Sequence, residues 1–145
     1  MVNATTERVP LNTPEDVNHR IRRDTEKRLV FYMAHPELID QRLAELDREW
    51  DVERLIEIEA PTVSLTGMLL GIVVSRKWLV ITLFAQSMIF LHSVQGWYPL
   101  LPLFRRMGVR TEREIAIERY ALRAVRGDFK GVHRDQPERA LQVAQ

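Results

Sequence analysis

The sequence predicts an all-α protein built on a two-helix transmembrane hairpin flanked by amphipathic cytoplasmic helices. Three observations predict it. Ala60 to Phe104 is a run of 45 residues that contains only two charges, the adjacent Arg76 and Lys77. The segments on either side are highly charged, and their apolar residues recur at helical spacing. Prolines and glycines punctuate the chain where helices would start and stop.

Residues 1–12 are polar, hold no apolar run of signal-sequence length and are expected to be disordered. Thr13-Pro14-Glu15-Asp16 then combines a hydroxyl cap, a proline at the first helical position and acids in the first turn, which predicts a helix to about Met33. Val17, Ile21, Leu29 and Tyr32 form its apolar stripe. Arg20, Arg22, Arg23, Lys27 and Arg28 make it basic, suited either to solvent or to anionic headgroups, where each charge contributes about 1 kcal/mol.

His35-Pro36-Glu37 breaks the helix and restarts it. Ile39, Leu43, Leu46, Trp50 and Arg54 follow at spacings of 4, 3, 4 and 4. The first four of these are the candidate partner contact, a seam suited to pairing with another helix. Nine acids face three arginines between His35 and Glu59, so this helix is expected to project into water rather than lie on anionic lipid. Pro61 suits a first turn, which places the break between the cytoplasmic helices (residues 13–59) and the membrane segment near Glu59 and Ala60.

The membrane hairpin with its interfacial segment covers residues 60–104. Ala60 to Ser75 is 16 uncharged residues, a rod of about 24 Å. Trp78 to Val94 adds 17 more before Gly96 and Pro99. Arg76 and Lys77 decide between one long helix and two short ones, because each cation at the midplane would cost about 2.5 to 3.5 kcal/mol. Placed at a turn, both reach water. Trp78 and Trp97 are 19 positions apart, about 28 Å on a helix, the separation of two headgroup levels. They are the expected interfacial anchors, with Tyr98 beside Trp97.

Ser64, Gly67, Gly71 and Ser75 lie on one stripe of the first helix with Ala60, and small residues there allow another helix to approach closely. Gln86 and His92 are the candidate intramembrane polar residues. Gln86 is the deeper and suits an interhelical hydrogen bond; His92, one turn from Gly96, suits an interfacial or packing role. Two prolines three apart, Pro99 and Pro102, make the segment up to Phe104 irregular.

Residues 105–129 are expected to form a cytoplasmic amphipathic helix. Thr111-Glu112-Arg113-Glu114 reads as a capping box and Gly127 as the terminator. Ile115, Leu122 and Val125 make its apolar face, with Ala116, Tyr120 and Ala124 beside them. The tail, residues 130–145, is expected to be disordered.

Net charge is only +1, but it is −5 up to Glu59, +2 in the hairpin and +4 from Arg105 onward. Near the membrane ends, Arg42, Arg48 and Arg54 on one flank and Arg105, Arg106, Arg110 and Arg113 on the other outnumber Arg76 and Lys77. That bias predicts cytoplasmic termini. It also puts the acidic helix from Pro36 and the basic helix after Thr111 in one compartment, where they can dock.

The run Gly96-Trp97-Tyr98-Pro99-Leu100-Leu101-Pro102-Leu103-Phe104-Arg105-Arg106-Met107-Gly108-Val109-Arg110-Thr111 resembles the end of the YgaP-like transmembrane domain, a bacterial inner-membrane family without an assigned function. In that family two short membrane helices precede a Gly-aromatic-Cys-Pro segment and a Leu-Gly-[Ile/Val] turn, and the domain also occurs fused behind rhodanese sulfurtransferase domains. The resemblance covers about residues 57 to 112. It implies a multi-pass topology and a bacterial inner-membrane address. Tyr98 stands at the family's cysteine position and no rhodanese domain is present, so sulfur transfer does not carry over.

The chain contains no cysteine, and its four histidines share no metal-ligand spacing. No nucleophile elbow, phosphate loop or dinucleotide fingerprint occurs. The sequence therefore points to no catalytic, cofactor or metal site and no enzyme activity. The expected role is association in membrane lipid, with itself as a homo-oligomer or with another membrane protein, and not with nucleic acid. Two alternatives are an oligomeric channel or carrier lined by Gln86 and His92, and a soluble all-α binding module.

Overall fold

The computed structural model describes residues 5–130 and Glu138, and helix is the only regular structure among them. The helices are α1 (Thr5–Leu11), α2 (Glu15–Ala34), α3 (Ile39–Leu46), α4 (Val52–Val73), α5 (Leu79–Gln95), α6 (Leu101–Arg106) and α7 (Glu112–Arg126). Short 3-10 turns at Pro36–Leu38 and Arg76–Trp78 lead into α3 and α5. The chain divides into two units. One comprises residues 1–21 and 50–113, the other residues 22–49 and 114–145.

In the first unit, α4 is longer than Pro61 suggested. Asp51, in extended backbone, accepts a hydrogen bond from the Arg54 N–H at 2.6 Å and so caps the helix nine residues before Ala60. Pro61 lies in the helix interior without ending it. The first turns of α4 gain what the proline loses, because Val52, Ile56 and Ala60 are buried against Val9, Tyr98 and Leu101. The Val52 N–H also donates to the Arg110 carbonyl at 2.9 Å. Trp50 lies in the link before α4, 47% exposed, with the Arg54 guanidinium 4.8 Å from its ring centre.

α1 corrects the expectation of disorder for residues 5–12; residues 1–4 lie outside the described set. Three contacts account for it. Val9 enters the core of this unit. Arg8 Nη1 donates to the Ser93 carbonyl, and Asn12 Nδ2 donates to the Gln95 carbonyl at 2.9 Å. A helix leaves its last carbonyls without partners of its own, and here α1 supplies them to α5. Gly96 ends α5 with a left-handed φ of 75°. A Cβ there would also overlap Arg8, lying 2.8 Å from its carbonyl carbon.

Segment 105–110 departs from its reading as a row of membrane-flanking cations. Arg105 has no exposed surface; its guanidinium donates to the Val109 carbonyl at 3.0 Å and to Asn18 Oδ1 at 2.9 Å. Arg110 is 3% exposed. Both are internal struts of this unit.

The second unit packs the outer part of α2, α3 and α7 around Ile39, Leu46, Ile115 and Leu122, with Leu29, Tyr32 and Leu43 against them. α3 stops at Leu46 rather than running on through Trp50. Gly127 closes α7 at a φ of 94°, its N–H donating to the Arg123 carbonyl at 3.0 Å. Arg126 then bonds both carboxylate oxygens of Asp128 and holds that group below the usual carboxylate range. On α7 the apolar face is narrower than expected, since Val125 and Tyr120 are exposed. Of the tail, only Lys130 and Glu138 are described.

Candidate functional site: the apolar helix pair and its polar ends

α4 and α5 are both long and apolar enough to cross a membrane, the second counted with its preceding 3-10 turn. They run side by side in opposite directions, because residues early in one meet residues late in the other. A Cβ on Gly67 would meet Thr82 Oγ1 at 2.9 Å and the Thr82 backbone nitrogen at 3.0 Å, and one on Gly71 would meet Leu79 Cγ at 2.7 Å. Ser64 accepts twice, from Thr82 Oγ1 to its carbonyl at 2.9 Å and from Gln86 Nε2 to its hydroxyl at 3.0 Å. Ser64, Gly67, Gly71 and Ala85 are buried. The small-residue stripe is therefore used within the chain, with Ser75 half-buried at its end.

The outward surface of the pair is the reverse of this. Leu65, Leu69, Ile72, Val73, Val80, Leu83, Phe84 and Phe90 are each more than half exposed. Only 28% of the most apolar stretch of α4, and 6% of that of α5 with its preceding turn, is buried. A water-soluble helix pair turns its large apolar residues inward and its polar ones out. Here small and polar groups fill the contact and large aliphatic and aromatic groups cover the outside. The hydroxyls on the outside need no water, since Thr62, Thr66 and Ser87 each donate to the carbonyl four residues earlier on their own helix.

The ends of the pair are polar. Arg76 and Lys77 are exposed in the connection, and Trp78 and Trp97 are each 41% exposed. Tyr98, expected beside Trp97 as an interfacial ring, is instead a core residue at 4% exposure. Its hydroxyl donates to a Glu59 carboxylate oxygen, and its ring stands edge-on to His92 with centres 6.0 Å apart. Burial, and then the adjacent Glu59 carboxylate, push the Tyr98 phenol above its usual range. Gln86 and His92 do not share one passage: they lie about 120° apart round α5, one bonded to Ser64 and the other edge-to-face with Tyr98.

The expected partner seam is consumed inside the chain. Ile39 and Leu46 are each 1% exposed in the core of the second unit, Leu43 packs against that core, and Trp50 belongs to the other unit. Sequence reasoning missed Glu118. It is fully buried on α7, taking hydrogen bonds from Arg28 at 3.0 to 3.2 Å and from Arg42 at 2.9 Å. The signal was its place between Ile115 and Leu122, three residues after one and four before the other. Beside it a groove of about 480 Å³ runs between α3 and α7, lined by Asp40, Asp47, Arg119, Tyr120, Arg123 and Arg126 among others. Arg119 bonds Asp47 at 3.0 Å, and Arg126 bonds Asp40. Among the described residues, no cluster of His, Asp or Glu could hold a metal ion.

No family model matches the chain, and no curated protein or solved structure matches it at a significant level.

Proposed function

We propose that this chain is a two-pass protein of the bacterial inner membrane, with α4 and α5 forming a transmembrane hairpin and both termini in the cytoplasm. The observation that carries the reading is the reversed polarity of the helix pair, apolar outside and small or polar at the contact. Ile58 to Val73, the outward apolar length of α4 broken only by Glu59, which is bonded to Tyr98, is 16 residues, about 24 Å. That fits a bilayer core with slight thinning. Orientation follows from the exposed cations. Arg42, Arg105 and Arg110 are tied up in protein contacts, but Arg48, Arg54, Arg106 and Arg113 remain exposed near the cytoplasmic ends, against Arg76 and Lys77 at the turn. The inner-membrane address is supported by the resemblance of residues 96–111 to the YgaP-like domain.

Its role in this reading is association rather than chemistry. The buried charges Glu118 and Arg105, and the partly buried Arg42, are engaged in structural hydrogen bonds. Contacts with other proteins then fall to the outer face of the hairpin and to the charged groove between α3 and α7, not to Ile39, Leu43 and Leu46. Alkaline carbonate washing of membranes tests the location. The chain should stay in the pellet and leave it only with detergent; recovery in the wash overturns the reading. Tags at either end should resist protease added to intact spheroplasts, and digestion of both would reverse the orientation.

A further inference from the structure

Gln86 occupies the eighth of the 17 residues of α5, the middle of the proposed span. Its carboxamide carries two N–H donors and a carbonyl acceptor. One N–H is used on Ser64 Oγ. The other N–H and the oxygen have no partner among the described residues, and the side chain is exposed on the outside of the pair. The exposed hydroxyls of Thr62, Thr66 and Ser87 are different, because each has closed a bond to its own helix. In hydrocarbon no water is available to complete the carboxamide.

The residues around Gln86 have the spacing of a helix seam. Leu79, Leu83, Gln86, Phe90 and Ser93 follow at intervals of 4, 3, 4 and 3, and all five are exposed. That interval is the heptad repeat, which keeps one stripe of a helix facing another over several turns. The stripe lies to one side of the Ala85 line that faces α4: Leu79 and Gln86 touch α4 along its edge, at Gly71 and Ser64, while Leu83 and Phe90, each 69% exposed, leave the rest of it open.

We propose that a second copy of the chain covers this stripe, with the two Gln86 carboxamides bonding reciprocally across a twofold axis. The inference rests on the membrane reading. Copies inserted with the same topology relate by an axis along the membrane normal, which sets α5 parallel to its mate and brings like residues together. Each Gln86 then donates its second N–H to the other's carbonyl oxygen while keeping its bond to Ser64. Leu83 and Phe90 pack above and below.

The absence of native cysteine makes the test direct. Leu83→Cys and Phe90→Cys, made singly in the full chain and oxidised with copper phenanthroline in isolated membranes, should give disulfide-linked dimers of this chain. Phe84→Cys, about 140° round the helix from Leu79, should not. Adding Gln86→Leu to Leu83→Cys should lower the dimer constant about three- to thirty-fold, with the chain still in the carbonate-resistant pellet. Monomers from both seam variants, equal cross-linking at Phe84→Cys, or capture of a different protein in membrane-retained chain overturns the dimer alone. A chain found in the wash overturns the membrane reading and the dimer with it.

Discussion

Arg42 Nε donates to Glu118 Oε1 at 2.9 Å, and the Glu118 side chain has no exposed surface. Arg28 reaches the same carboxylate from α2, so one buried anion ties three helices of the second unit. Removing the carboxylate leaves two guanidinium groups facing a cavity. Glu118→Ala should therefore destabilise this unit by about 3 to 5 kcal/mol. Amide hydrogen exchange of the full chain in detergent checks it: protection should fall in α3 and α7 and hold in α5. Unchanged protection in α3 and α7 would show that the triad contributes little.

Gly67 and Gly71 differ in what a side chain would strike. At Gly71 the obstacle is the flexible end of Leu79, with the Leu79 backbone nitrogen 3.4 Å away. At Gly67 it is the Thr82 backbone nitrogen at 3.0 Å and Ile81 Cβ at 3.0 Å, which cannot move without the helix. Gly71→Ala should be nearly neutral in thermal unfolding in micelles, whereas Gly67→Val should cost about 1 to 3 kcal/mol. Equal effects at both positions would show that the α4–α5 contact is looser than these distances imply.

Tyr98 predicts a dependence on alkaline pH. Its phenol is raised in the folded chain above the ordinary value near 10, first by burial and then by Glu59. Above that value the unfolded chain has lost the proton and the folded chain keeps it, so stability falls as pH rises further. The contribution is fully present below about 10. Unfolding followed across that range should steepen in the wild type and flatten in Tyr98→Phe. Identical profiles would mean that the phenol is not held by Glu59.

Composition and spacing made much of this architecture readable, and the failures share a cause. The charge-free run and the pair Arg76–Lys77 marked both apolar helices, and Gly96 and Gly127 marked two helix ends, because these signals are local. Pro61 misled because burial of Val52, Ile56 and Ala60 outweighs the bond it removes. The Asp51 cap was overlooked beside it. The neighbours of Tyr98 and Arg105 in sequence suggest an interfacial place, while their surroundings are set by Glu59 and Asn18, 39 and 87 residues away. Ile39 and Leu46 suggest an external partner by spacing yet pack within the chain, since spacing shows that a face is buried without showing what buries it.

Arg8 and the Ser93 carbonyl it bonds are 85 residues apart, and Asn12 and the Gln95 carbonyl are 83 apart. Because α1 precedes α5 in the chain, it is made well before the carbonyls it docks on. Until α5 has been translated, Arg8 and Asn12 wait on the nascent chain with their acceptors unmade, and their arrival closes the end of α5 only after that helix exists.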